Sequence, residues 1–397
     1  MIVVPSLAAR KRGASLDLGP PTEILRALHD PISRHDVTRL VEPIRRPLLE
    51  ETHVSSLAPV TRPTSTPDRS RVGRAPDRIL CAVSGEPGDD AVAQLIVATC
   101  QFRVSADVAR NGRYVMHQLR TASERGAQVA HFPEACLSGY AGPDRSSYDD
   151  LDWTHLEGVT RQLFDLAGEL RLWLIIGSAH RLTGSHKPHD SVYVVNDTGT
   201  LVDRYDKRFC SGDPSGQSGD LAHFTPGDHL TVFDVRGIRC GVLVCYDYRF
   251  PELYREYKRS GVQLMFHSFH AANVAPEVFH AMDTNFGTEL LRLNGAGTYP
   301  GITMPPSMTA AAAANHMWIS CPNSSAPESC WGSFFVRADG VTTGRLPRNR
   351  AGVLISSVDT RIPLYDSTFA WRDRALDGQL HSGTLVDDPR SDNRTQL

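Results

Sequence analysis

Long apolar runs are missing from this chain of 397 residues, and none reaches the roughly 18 residues that a membrane-spanning helix needs. The start, Met1 to Ala9, is apolar but has neither a preceding basic segment nor a small-residue cleavage site, so a secretory leader is not expected. Excess charge of either sign is also absent. A formal net charge of -3 with 22% charged residues describes a near-neutral surface, without the basic surplus that nucleic acid or an anionic membrane would attract. Small-molecule partners and a soluble, cytoplasmic setting are therefore expected. The eight cysteines, at 81, 100, 136, 210, 240, 245, 321 and 330, include no CxxC pair, which argues for reduced thiols over a zinc or redox site. Short repeats of solenoid type are absent too. Lysine is scarce: of 42 Lys plus Arg, four are Lys, at positions 11, 187, 207 and 258. Where a plain positive charge suffices the sequence writes Arg, so a lysine carries information, being a compact charge whose pKa burial can tune.

What is present divides into an extension and a patterned domain. Residues 1–93 hold two short stretches compatible with helix, 21–28 and 37–49, and a second half broken by Pro59, Pro63, Pro67, Pro76 and Pro87. Too few apolar positions recur there for an independent core, so a partly disordered extension with a Pro-rich linker is expected. From Gln94 the pattern changes. An apolar run, 95–99, precedes a helical stripe of Val108, Val115, Leu119 and Ala122 that Gly126 ends. A strand at 128–132, a second stripe of Val159, Leu163, Leu166 and Leu170, and a strand at 172–177 complete a βαβαβ order. Segments 191–195 and 201–205 flank a turn of Asn196, Asp197, Thr198 and Gly199, which reads as a hairpin. Further strands are expected at 238–244, 262–269, 318–320 and 353–358, a helix from Pro251 to Arg259 and another near 310–315, and a second hairpin across Ala338, Asp339 and Gly340. Residues 94–365 thus form one α/β domain whose sheets must be covered by helices, and 366–397 form a polar tail.

Three segments carry chemistry. In the first, an apolar strand ends at Cys245 and a helix opens at Pro251, an elbow from which a thiol projects with the Tyr246 N–H placed to meet an oxyanion. Taken alone, a buried cysteine acting as a small hydrophobe stands level with that reading. In the second, Glu134 follows a strand in a turn containing Pro133 and Gly139; in the third, Lys207 closes the hairpin strand. Each by itself more often describes a solvated surface charge.

Together the segments resemble the motifs of the nitrilase, or carbon–nitrogen hydrolase, superfamily. The resemblance covers about 94–365 and rests on four ordered motifs: F-P-E-x-x-L-S-G-Y from Phe132, D-x-Y-D-K ending at Lys207, F-T-P-G-D at 224–228, and C-Y-D-x-R-F-P-E-L from Cys245. It implies a four-layer αββα sandwich that assembles into homodimers or larger oligomers. It also implies Glu134 as general base, Lys207 as oxyanion stabiliser and Cys245 as nucleophile, roles that make chemical sense unaided, because a thiol near pKa 8.5 is mostly protonated at neutral pH. Family members often place a second glutamate just before the F-x-P-G turn, where this chain has Asp220, one methylene shorter; a solvated loop aspartate is the equal alternative. Tyr140, Asp220, Tyr246 and His270 are the expected substrate-binding or supporting residues.

The departures are specific. Phe209 stands where the family commonly has His, a small flexible run follows at 210–219, and His267-Ser-Phe-His270 replaces small apolar residues after the cysteine helix. No companion spacing makes those histidines a metal site, so no metal and no cofactor are expected. The expected reaction is hydrolysis of a small carboxamide or N-carbamoyl amine through a thioester. Acyl transfer, nitrile hydrolysis and a non-catalytic scaffold or regulatory subunit remain open. Amide is preferred because true nitrilases usually carry C-W-E at the cysteine.

Overall fold

The computed structural model describes residues 94–295 and 297–395; the extension and its two expected helices lie outside them. In chain order the elements are β1 (Gln94–Gln101), α1 (Val108–Glu124), β2 (Val129–His131), α2 (Trp153–Glu169), β3 (Trp173–His180), β4 (His189–Val195), β5 (Leu201–Asp206), β6 (Val232–Val235) and β7 (Ile238–Val244). Then follow α3 (Pro251–Arg259), β8 (Leu264–Ser268), α4 (Pro276–Leu293), α5 (Tyr299–Asn315), β9 (Trp318–Cys321), β10 (Phe334–Val336), β11 (Thr342–Arg345), β12 (Gly352–Asp359) and α6 (Arg372–Leu376). The strands make two six-stranded sheets, β12-β1-β2-β3-β4-β5 and β11-β10-β9-β8-β7-β6. Both follow one plan. Three parallel strands, β1 to β3 in one sheet and β7 to β9 in the other, are flanked by antiparallel neighbours.

Helices α1 and α2 start at aspartate caps: Asp107 accepts the Arg110 N–H and Asp152 the His155 N–H, both at 2.9 Å, each worth about 1 kcal/mol. Their apolar stripes bury Val115, Leu119, Leu163 and Leu166 against Ala98, Cys100, Leu174 and Ile176 of the first sheet. The alternate strand positions, Leu95, Val97, Val129 and Ile175, face the second sheet, as the two-residue strand period requires. Between the sheets Trp173 stacks on Phe233 at 5.7 Å. The His131 ring bridges Ser320 and Ser268, 2.9 Å from each. Burial drives that imidazole well below its usual pKa, so it is neutral, with one nitrogen donating and the other accepting. Outside the second sheet, α3 and α5 bury Leu253, Tyr257, Met308 and Ala312. Gly241 is required there: a Cβ on it would stand 2.6 Å from the Tyr257 ring. The layers are therefore α, β, β, α, as expected.

The differences have physical reasons. Helix α5 starts at Tyr299 rather than near 310, because Thr298 caps it through the Gly301 N–H at 3.1 Å. Pro305 and Pro306, residues that usually break a helix, lie inside it. Strand β6 is too short, and α4 too interrupted at Gly287 (φ 69°), to leave a periodic signal. The expected tail includes α6, yet no described residue after Val358 is buried. No helix among the described residues is long and apolar enough to cross a membrane.

Candidate active site

The carboxyl ends of the parallel strands of both sheets meet at one place, where α/β folds usually bind ligands. Glu134 comes from the loop after β2. The following Ala135 is left-handed (φ 46°). That loop lies flat on β3, where only glycine fits: a Cβ on Gly177 would be 2.4 Å from the Pro133 carbonyl and 2.6 Å from the Ala135 nitrogen. Glu134 is fully buried; it accepts the Lys207 ammonium at 2.6 Å and the His270 backbone N–H at 2.8 Å.

Lys207, immediately after β5, is equally buried and also faces Asp220 at 2.8 Å and Asp190 at 3.4 Å. The Tyr140 ring lies 5.5 Å from its nitrogen. Burial opposes its charge, but Asp220 and Glu134 outweigh that, and its pKa rises well above the usual range. Lysine scarcity was informative in this sense. Lys187 and Lys258 donate to backbone carbonyls, of Leu221 at 2.8 Å and His316 at 3.3 Å, whereas Lys207 is the buried counter-ion.

Cys245 stands at the turn between β7 and a 3-10 turn, Cys245–Arg249, with φ 39°, a left-handed backbone uncommon for residues other than glycine. It is 7% exposed while Glu134 and Lys207 are at 0%, so of the three it is the group that faces outward. Its thiol is pushed well above the usual range by burial and then by Glu134, with Lys207 pulling the other way. A thiol so placed is protonated at rest and needs a base to ionise.

The supporting residues fall around these three. Asp220 is no solvated loop carboxylate: it is buried, accepts from Lys207, from the Tyr140 hydroxyl and from the Ser211 N–H at 2.9 Å, and stays below the usual carboxylate range, burial notwithstanding. His270 stacks on Tyr140 at 5.1 Å, and its Nε2 is 2.8 Å from Asp144. Burial lowers the imidazole's pKa, but Asp144 more than offsets that. Tyr246 is the second residue of the 3-10 turn, its ring edge-on to Phe250 at 5.7 Å, and its N–H is one of the turn's first donors, which no internal bond uses. Phe209 stacks on Phe250 at 3.5 Å on the rim.

Three buried acids were not singled out from sequence. Asp247 accepts the N–H groups of Val244 (3.0 Å) and Phe209 (2.9 Å) and the Tyr205 hydroxyl (2.8 Å), tying the cysteine turn to β5 and the segment after Lys207. It lies inside the C-Y-D motif, which was the available signal. Asp144 and Asp190 lie in a loop and a strand with no local mark. Among the described residues no three His, Cys, Asp or Glu side chains form a group that could hold a metal. A surface cleft of about 700 Å³, lined among others by Tyr148, Trp153, Arg181 and His223, includes none of Glu134, Lys207 and Cys245.

Comparison with known proteins places the chain. Hydrolase Rv0480c of Mycobacterium tuberculosis is 30% identical over 169 residues, 43% of this chain and 59% of the relative. The omega-amidase NIT2 of Homo sapiens is 28% identical over 173 residues, 43% of this chain and 61% of the relative. The alignments thus span about three fifths of those relatives. Among solved structures, the amidase of Nesterenkonia sp. AN1 shares the fold with a TM-score of 0.54 at 22% identity, covering 72% of this chain and 100% of that one. A variant of that amidase, with the acetamide moiety of fluoroacetamide added covalently at its active-site cysteine, gives a TM-score of 0.53 at 22% identity, covering 70% and 94%. The family model described as carbon-nitrogen hydrolase matches residues 96–363, most of the chain and nearly every described strand and helix: this protein belongs to the carbon–nitrogen hydrolase family.

Proposed function

We propose that the chain hydrolyses a small carboxamide or N-carbamoyl amine to the acid and ammonia or amine, through a thioester on Cys245. The observation that carries the reading is the buried Lys207 ammonium held between Glu134 and Asp220, beside a cysteine on a left-handed elbow. In this reading Glu134 takes the thiol proton as the sulfur attacks the carbonyl carbon. Lys207 and the Tyr246 N–H stabilise the oxyanion, and Glu134 passes its proton to the departing nitrogen. The C–N bond breaks and a thioester remains. Water, deprotonated by Glu134, then attacks it, releasing the acid and restoring the thiol. Asp220 holds Lys207 charged, and Tyr140, bonded to Asp220 and stacked under His270, forms the wall against which the substrate packs. The covalent addition at the cysteine of the Nesterenkonia amidase and the amidase activity named for the human relative support the same chemistry for this chain.

Ammonia release from a panel of amides, N-carbamoyl amines and nitriles tests this, with wild type and Cys245→Ala side by side. Release by the wild type falls at least about a thousandfold in Cys245→Ala, while the two melt alike. Release that survives the substitution rejects the nucleophile, and preferred turnover of nitriles rejects the substrate class.

A further inference from the structure

Three carboxyl groups surround the single Lys207 ammonium, and they are not equivalent. Asp220 is held by three donors and Glu134 by two. Asp190, on β4, is fully buried, yet neither of its side-chain oxygens receives a hydrogen bond, and the lysine stays 3.4 Å away. A buried carboxylate without donors is strongly disfavoured in its ionised form. Three ionised carboxyls against one ammonium would also leave the site with a net charge of two negatives. A proton of its own resolves both, because a carboxylic acid is a donor and its neighbour Glu134 lies within reach as an acceptor.

We propose that Asp190 is protonated in the resting enzyme and donates its O–H to Glu134, so that the two form a carboxyl pair sharing one proton. Burial and the adjacent Glu134 charge both push Asp190 well above the usual carboxylate range, in keeping with this geometry. The assignment rests on Glu134 being the base, and it explains how it can be one. Two like carboxylates this close cannot both ionise, so one keeps a proton at neutral pH. Held on Asp190, that proton leaves Glu134 free to accept another from Cys245. Held on Glu134, it would leave the site without a base. Asp190 acts through Glu134 and is therefore a positioning residue. Its proton stays in place through the cycle, while the thiol proton moves to Glu134 and on to the leaving nitrogen.

Two measurements test the pair. Infrared spectra of wild type at neutral pH show a protonated-carboxyl C=O band, sensitive to ¹³C-aspartate labelling, that Asp190→Asn abolishes. A wild-type spectrum without such a band overturns the proposal, even if the variant does not fold or no substrate is found. In kinetics, Asp190→Asn, whose amide still donates to Glu134, keeps activity within about tenfold of wild type, and its alkaline limb moves up by at least one pH unit because it has no shared proton to lose. An unchanged alkaline limb overturns the proposal. Absence of amide turnover by wild type with the band intact would instead reject the hydrolase reading and leave the carboxyl pair standing.

Discussion

Asp247 shows how a single buried acid can shape both the site and its stability. Burial pushes its carboxyl from an ordinary 3.8 up to about 6, against the pull of the Phe209 and Val244 N–H groups and the Tyr205 hydroxyl. The folded chain therefore holds this proton more tightly than the unfolded one. The group's contribution to stability is complete below 3.8 and is lost as pH rises through about 6, a difference of roughly 3 kcal/mol at 1.36 kcal/mol per pKa unit. Urea unfolding of wild type and Asp247→Asn between about pH 4 and 7 measures it: the stability difference between the two shrinks as pH rises, and parallel curves reject the assignment. A stronger effect is expected from Asp247→Ala. It strands two backbone N–H groups and a hydroxyl at about 1 to 3 kcal/mol each, lowering the urea midpoint and loosening the turn that presents Cys245.

At the scale of elements, the loop after β2 and strand β3 are fitted to one another through Gly177. Gly177→Ala forces the Pro133–Glu134 backbone away from the strand, because the new Cβ has backbone atoms at 2.4 and 2.6 Å that cannot rotate aside. The expected result is a stability loss of about 1 to 3 kcal/mol and, since a displacement near 1 Å costs about a hundredfold in rate, a kcat loss beyond what the stability change explains. A variant with wild-type kcat removes the tight fit from the argument. The strand, elbow and helix around Cys245 were legible in sequence because β7 runs without a polar side chain from Cys240 to Val244 and Pro251 marks the helix start. The same holds for the β4–β5 hairpin, where the Asn196 side chain accepts the N–H groups of Thr198 and Thr200 at 3.0 and 2.9 Å. Asp190 was not legible. Its meaning depends on the register of β4 against β3 and on where the β2 loop folds over that pair, and neither leaves a local pattern. Helix α4 was missed for a different reason: none of its described side chains is buried, and Gly287 interrupts its period.

At the scale of the molecule, the core stops at Val358. The tail beyond it touches the domain through Asp366, whose carboxylate lies 3.8 Å from His316 Nδ1, and through Arg259, which donates to the Leu376 carbonyl at 2.9 Å. Such contacts are worth about 1 kcal/mol or less each when partly exposed. Truncation after residue 365 is accordingly expected to leave the urea transition of the domain within about 2 kcal/mol of the full chain, and a larger loss would show that the tail's exposed Phe369, Leu380 and Leu385 are covered in solution. The placement of β12 has a further consequence. Its eight residues, from Gly352 to Asp359, pair with β1 at the opposite end of the domain sequence. During synthesis β1 therefore waits, its edge unpaired, until almost all of the domain has left the ribosome. The sheet that carries Glu134 and Lys207 therefore gains its last edge strand after Cys245 and every strand of the other sheet have been made.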